Sequence, residues 1–199
     1  MSDADTHKAE MRKLQAEQKR KTSEAKDPGR GIVLIHTGDG KGKSSSAFGV
    51  IIRALGWGQK VGIVQFIKGK WVTGERQFFK KIGGVDWRTM GEGFTWDTQD
   101  RDRDIAAAQS AFAHASEMLR SGDYDLVVLD EINIALRYDY LSPATVIDAL
   151  KARSNRTSVI LTGRDAPPDL CEYADLVSEV REVKHPFKAG FKAQRGIDF

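Results

Sequence analysis

The stretch that most constrains this 199-residue chain is the apolar run Ile32-Val33-Leu34-Ile35 together with the turn after it, Thr37-Gly38-Asp39-Gly40-Lys41-Gly42-Lys43-Ser44. A short apolar run of this kind reads as a strand buried on both faces. Ser44 to Leu55, closed by Gly56, reads as a helix. Strand, glycine-rich turn and helix in that order form the setting a phosphate-binding P-loop requires. Each residue type has a physical reason. Glycines let backbone N–H groups converge on phosphate oxygens with no side chain in the way. The helix adds unpaired N–H groups and the positive end of its dipole. Lys43 can bridge terminal phosphate oxygens, and the Ser44 hydroxyl can ligate Mg²⁺. One departure stands out: the usual pattern begins with Gly where this chain has Thr37. The loop is therefore either a variant or one residue shorter, counted from Gly38.

Strands and helices alternate from Gly31 onward. Val61–Phe66 reads as a second strand, and 85–88 gives a weaker third. A helix is expected from about Thr98 to Leu119, where Ile105, Ala108, Phe112, Ala115 and Leu119 make one apolar stripe. Leu126–Leu129 is a buried strand, Ser142-Pro143 opens a further helix, and Ser158–Thr162 and Asp175–Val180 complete the strands. Such alternation predicts an α/β fold: a mostly parallel sheet of about six strands with helices on both faces. Residues 185–199 are basic and aperiodic, and are expected to form an extended tail packed on the surface.

Residues 31–199 are thus expected to form one domain, and residues 1–30 differ from them. There Met1, Met11 and Leu14 are the only large apolar residues, which suits a solvated helix or tail and not a core. That segment is either frayed or ordered by a ligand or a partner subunit. Lys+Arg 31 against Asp+Glu 28 leaves a net charge of +3, too balanced to argue for a nucleic-acid partner. No apolar run approaches the ~20 residues of a membrane span. The single cysteine, Cys171, excludes an internal disulfide, and no signal-peptide pattern opens the chain. A cytoplasmic location with no membrane contact is expected.

The second half of the phosphate site is Leu126-Val127-Val128-Leu129-Asp130-Glu131. An apolar strand ending in acids puts carboxylates at the sheet's C-terminal edge, where Asp130 or Glu131 could hold Mg²⁺ directly or through water. With the loop upstream, the pair predicts a single P-loop NTPase domain of the RecA-like kind that binds ATP. The reaction does not follow, since such loops serve motors, switches, kinases and transferases alike.

Met90 to Gln99 holds Phe94 and Trp96 in a glycine-flanked segment with neither helical nor strand period. The two aromatics either clamp a loop to the core or form an apolar platform for a flat ligand. With this loop in place the chain resembles the P-loop corrinoid adenosyltransferases of bacteria. The resemblance runs through residues 37–44, Val64-Gln65-Phe66-Ile67-Lys68-Gly69, Gly93-Phe94-Thr95-Trp96, Leu129-Asp130-Glu131 with Arg137-Tyr138-Asp139-Tyr140-Leu141, and Lys184-His185-Pro186-Phe187 with Gly190, Lys192-Ala193-Gln194 and Gly196-Ile197. The Gly-Phe-Thr-Trp loop and the C-terminal segment are its specific parts.

The resemblance implies transfer of the 5′-deoxyadenosyl group of ATP to the cobalt of a reduced corrinoid, leaving triphosphate. It implies ATP turned round relative to most P-loop enzymes, so that the 5′ carbon faces the acceptor. Asp39 to Ser44 would hold the triphosphate with Ser45 adjacent, and Ser44 and Glu131 would organise Mg²⁺; the motifs themselves add Thr37 and Gly38 to the nucleotide site and Asp130 to the metal site. Phe94 and Trp96 would press on the lower corrin face, leaving cobalt four-coordinate and easier to reduce. A homodimer whose N-terminal segment covers the partner's site is implied, and a reduced flavin or flavoprotein is a plausible electron donor. Arg53 and Lys68 could touch the nucleotide or corrinoid, although Arg53 could equally be a solvated surface residue. The competing readings are a RecA-like ATPase motor or switch and a non-catalytic corrinoid carrier. His7, His36, His114 and His185 lack metal-ligand spacing.

Overall fold

The computed structural model describes residues 3–67, 73–89 and 100–199. Its centre is a six-stranded parallel sheet in the order β3-β2-β4-β5-β1-β6. The strands are β1 (Val33–Thr37), β2 (Val61–Gln65), β3 (Val85–Thr89), β4 (Leu126–Asp130), β5 (Ser158–Thr162) and β6 (Leu176–Glu179). Helices α1 (Asp3–Glu24), α2 (Lys43–Gly56), α3 (Gly74–Ile82), α4 (Arg101–Ser121), α5 (Ile132–Arg137), α6 (Pro143–Lys151) and α7 (Pro168–Tyr173) are interleaved with them. The α/β class, the six strands and the parallel pairing agree with the sequence expectation.

Alternation along the strands explains why both faces must be covered. Val33, Ile35, Val64, Val127, Leu129, Val159 and Leu161 join a core with Ala111, Phe112, Ala115 and Leu119 of α4, Val146 and Leu150 of α6, and Leu170 of α7. Ile63, Leu126, Val128 and Ile160 point the other way, onto Ala47, Phe48 and Ile51 of α2 and Phe79 of α3. Each fully buried Ile or Leu contributes about 1.5–3 kcal/mol over an exposed one. Side chains of period two on two covered faces therefore leave apolar runs with no polar alternation.

Boundaries shift for local reasons. β1 starts at Val33, because Ile32 is exposed, and it runs on through His36 to Thr37. α4 begins after Asp100, whose carboxylate accepts the Arg103 N–H at 3.1 Å, and stops where Gly122 turns left-handed. Residues 98 and 99, expected in this helix, lie outside the described residues. Ser142 caps α6 by accepting the Thr145 N–H at 3.1 Å, with Pro143 in the first turn as expected. Three further helices give little signal in the sequence. α3 is amphipathic and short, capped by Thr73, which accepts the Arg76 N–H at 3.4 Å. α5 and α7 have six residues each, too few to show a period.

Helix α1 is exposed from residue 4 to the end of the segment at 30. This polar segment thus becomes a solvated helix over Asp3–Glu24, tied by Arg20–Glu24 and Lys21–Glu17 pairs at i,i+4 spacing. The basic C-terminal segment, expected to be extended, contains a 3₁₀ turn over Pro186–Ala189 with His185 as its cap. Among the described residues no helix is long and apolar enough to cross a membrane.

The entry to β1 is fixed by a close approach of two backbones. The Gly31 N–H donates to the Asn155 carbonyl at 2.6 Å, and the Gly31 carbonyl accepts from the Arg153 guanidinium at 2.8 Å. A Cβ at Gly31 would stand 2.3 Å from the Thr157 carbonyl carbon and oxygen, so the strands would have to separate. Gly31→Ala is expected to lower stability by about 1–3 kcal/mol, a fall of roughly 2–12 °C in Tm for a chain of this size. Gly49→Ala is the contrast: that site in α2 has open space around it. There the loss of glycine's backbone freedom should raise stability by about 0.5–1 kcal/mol. Thermal unfolding of the two variants, monitored by circular dichroism, checks the pair.

Candidate nucleotide and metal site

The site lies where β1, β4 and β5 end together at the C-terminal edge of the sheet. In parallel α/β sheets that edge collects the loops that bind ligands. β5 separates β1 from β4, so the glycine loop and the acids face each other across one strand.

Thr37 closes β1, and the turn starts at Gly38, whose φ of +94° only glycine adopts easily. The missing first glycine is thus explained by the shorter version of the loop. Thr37 has other work: its hydroxyl accepts the Ala166 N–H at 3.1 Å, and its carbonyl accepts the Val180 N–H at 2.8 Å. The glycines divide by role. A Cβ at Gly38 would meet the Val180 carbonyl oxygen at 2.6 Å, and one at Gly40 would meet Arg181 backbone at 2.8 Å. The Gly40 N–H is already spent on the Val180 carbonyl at 2.7 Å. These two glycines let the chain leaving β6 pass against the loop. A Cβ at Gly42, φ +119°, would meet nothing within 4 Å, so this glycine leaves the approach to the α2 N-terminus open.

The first turn of α2 presents the Lys43 and Ser44 N–H groups, which by position have no intrahelical acceptor. Lys43 is only 7% exposed, and its ammonium donates to the Gly40 carbonyl at 2.7 Å. Burial lowers its pKa, and Glu131 opposes that. His36, at the end of β1, is buried with Nδ1 3.4 Å from the Lys43 carbonyl oxygen. Ser44 is half-buried, Ser45 and Asp39 are exposed, and Lys41 is exposed at the rim.

Asp130 is 2% exposed at the end of β4. It accepts from the Thr162 hydroxyl at 2.9 Å and from the Gln65 amide at 3.0 Å. Burial raises its pKa, while the nearby Ser44, Gln65 and Thr162 side chains pull it down. The nearness of Ser44 to Asp130 joins the two halves read from sequence. Glu131 comes next in a left-handed conformation, φ +61°, its N–H donating to Thr162 Oγ1 at 2.9 Å. Burial and then the Asp130 charge push its carboxyl up to about 7, while Lys43 and Arg164 pull the other way. A hydroxyl and two carboxylates are hard oxygen donors of the kind Mg²⁺ prefers, and its remaining positions would be filled by phosphate oxygens and water. Among the described residues no group of three His, Cys, Asp or Glu side chains is placed to hold a metal by itself.

Two contributors were not singled out from sequence. Arg164, in the loop after β5, donates to the Asp39 carbonyl at 3.2 Å and faces its carboxylate at 4.0 Å. Asn133, fully buried in α5, donates its amide to the Gly163 carbonyl at 3.0 Å, while its Oδ1 has no partner among the described residues. Gly163 must be glycine, since its φ is +129° and a Cβ would lie 2.8 Å from the Asn133 Cβ. Neither residue carries a motif; the fold brings them in. Arg53 stands apart, exposed in the last turn of α2 and roughly 15 Å up the helix axis from Lys43. Phe94, Trp96 and Lys68 lie outside the described residues.

A glycine loop carrying a buried lysine, a buried strand-end aspartate across from it, and a parallel sheet beneath them define a P-loop nucleotide-binding protein. The chain belongs to the family ATP:corrinoid adenosyltransferase BtuR/CobO/CobP, which it matches over residues 29–199. It is 51% identical over 194 residues to the corrinoid adenosyltransferase of Pseudomonas aeruginosa, covering 97% of this chain and 95% of that one. The corrinoid adenosyltransferase of Escherichia coli is 50% identical, and the corrinoid adenosyltransferase CobA of Salmonella typhimurium 49%. Each of those two alignments spans 170 residues, 85% of this chain and 86% of the relative. Membership makes the chain an adenosyltransferase whose substrates are ATP and a corrinoid.

The acid pair predicts a pH effect. The folded state keeps a proton on Glu131 up to about pH 7, while the unfolded chain loses it near 4.5. The stability from this group is complete below 4.5 and is lost as pH rises through 7. Without metal, Glu131→Gln should therefore exceed the parent in stability at pH 8 by on the order of 1–3 kcal/mol, with the difference vanishing near pH 4.5. Urea denaturation in EDTA at the two pH values measures it.

Proposed function

We propose that the cobalt(I) of a reduced corrinoid attacks the 5′ carbon of ATP held on this loop. A carbon–cobalt bond forms with the cobalt electron pair. The bond from C5′ to the triphosphate oxygen breaks, and inorganic triphosphate departs with those electrons. The observation that supports this most is the buried Lys43 in the glycine loop, one strand away from the buried Asp130, in a chain of this family.

No general base is needed, because no proton moves in the step. The work of the protein is to orient ATP, neutralise the leaving group and keep water out. Lys43, with the amides of the α2 N-terminus, would meet the charge that builds on triphosphate. Ser44, Asp130 and Glu131 would hold Mg²⁺, which supplies further neutralisation of the phosphates when bound. Thr37 to Gly40 shape the loop, Lys41 and Ser45 lie at its rim, and Arg53, farther along α2, is left to the nucleoside or the corrinoid. For the 5′ carbon to face the corrinoid, the triphosphate must enter with the nucleoside outermost. Phe94 and Trp96 are assigned to the lower corrin face, where apolar side chains exclude an axial ligand and ease reduction to cobalt(I). A homodimer in the cytoplasm, with residues 1–30 over the partner's site and a reduced flavin or flavoprotein as electron source, completes the reading.

Product analysis tests it. The chain with Mg-ATP and chemically reduced cobalamin should yield the adenosylated corrinoid and triphosphate in equal amounts. Lys43→Ala should lose both through ATP binding weakened about a hundredfold, as for a buried phosphate charge stripped of its partner. ADP and phosphate released without corrinoid would overturn the proposal. Trp96→Ala should slow adenosylation from cobalt(II) far more than from prepared cobalt(I); equal losses in the two assays would remove the aromatic from its assigned role.

A further inference from the structure

The C-terminal turn reaches the phosphate loop through one carboxylate. Residues Gln194–Phe199 close on themselves: the Ile197 and Asp198 N–H groups donate to the Gln194 carbonyl at 3.1 and 2.8 Å, and the Gly196 N–H donates to the Phe199 carbonyl at 2.8 Å. Asp198 uses its two oxygens differently. One accepts the Gln194 N–H at 2.8 Å, and the other accepts the Lys41 ammonium. The Asp198 side chain is 14% exposed and that of Lys41 48%. Lys41 and the Gln194 N–H hold the Asp198 carboxyl below the usual carboxylate range. So a residue 157 positions away sits on the lysine beside the open glycine, Gly42.

The chemistry of that lysine differs from that of Lys43. Lys43 is buried and turned onto the loop carbonyl, whereas Lys41 is a hydrated point charge on a flexible four-carbon stem with three donors to place. A triphosphate on the loop is a polyanion that attracts this ammonium and repels the Asp198 carboxylate. The two anions therefore compete for one cation.

We propose that Asp198 is an intramolecular competitor of the triphosphate for Lys41. It holds the ammonium while the loop is free, yields it to the triphosphate of bound ATP, and takes it back as inorganic triphosphate leaves. The role rests on the phosphate-loop reading above and assigns the C-terminal turn to release of a product that the loop itself binds well.

The probe is inorganic triphosphate with Mg²⁺, titrated into the full chain by calorimetry. Asp198→Asn should bind it roughly twofold to fivefold tighter, the range expected of a half-exposed ion pair, with the gain shrinking at high salt. Asp198→Glu should return the affinity towards that of the parent. In a Lys41→Ala background the Asp198→Asn change should no longer tighten binding, which separates competition for Lys41 from a general loss of negative charge. In hydrogen exchange on the parent chain, triphosphate should speed exchange at the Ile197 and Asp198 amides as the turn lets go. Unchanged or weaker binding by Asp198→Asn, a full gain in the Lys41→Ala background, or slower exchange at those amides would each overturn the role. A parent chain that binds no triphosphate would overturn the phosphate-loop reading and this inference with it. Normal binding by the parent with no response to Asp198→Asn overturns the inference alone.

Discussion

The site depends on a buried positive charge that rests on a neutral carbonyl. Lys43 sits at the mouth of α2 with its ammonium on the Gly40 carbonyl, and burial lowers its pKa. A cation in such a place is costly unless something anionic faces it. The strand order supplies only part of that: Glu131 lies across β5 and itself tends to keep a proton. The arrangement is thus incomplete in electrostatic terms. A polyanion with an accompanying divalent cation would satisfy both halves, giving Lys43 a counter-charge and replacing the proton that burial favours on Glu131.

The same economy appears in the backbone. Gly38 and Gly40, which motif logic assigns to phosphate approach, are glycines because Val180 and Arg181 run against them. Within the loop, Gly42 alone has the empty surroundings that a ligand needs. A phosphate loop is here also a packing surface, and its sequence answers to two demands at once. Thr37 fits this view: its hydroxyl ties the loop after β5 to the loop after β1, a contact glycine could not make.

The parts legible in the chain alone are the local ones. The strand–turn–helix of 33–56 and the acid-ended strand of 126–131 are continuous, and each carries its chemistry within a dozen or so residues. The α/β class and the parallel sheet came from the alternation of those elements. Helix α3 escaped because nine residues with apolar side chains at Phe78, Phe79 and Ile82 give too brief a period, although Thr73 was a usable cap signal. Arg164, Asn133 and Asp198 escaped for another reason. Each acts across more than 25 residues of sequence, on Asp39, Gly163 and Lys41, and no spacing announces such a pair. Arg53 was drawn in by its helix, and it stands exposed ten residues along α2 from Lys43.

Strand β6 is the outer edge of the sheet, bonded only to β1 among the described strands, and all four of its residues are exposed. Edge strands with little buried apolar surface are among the first parts of a domain to open. When this one frays, the Val180 carbonyl lets go of the Gly40 amide and the loop loses its wall, while the two cores under α2 and α4 stay shut. The nucleotide cradle therefore has a lower melting threshold than the body that carries it, and whatever fills the cradle acts as a splint on the rim of the sheet.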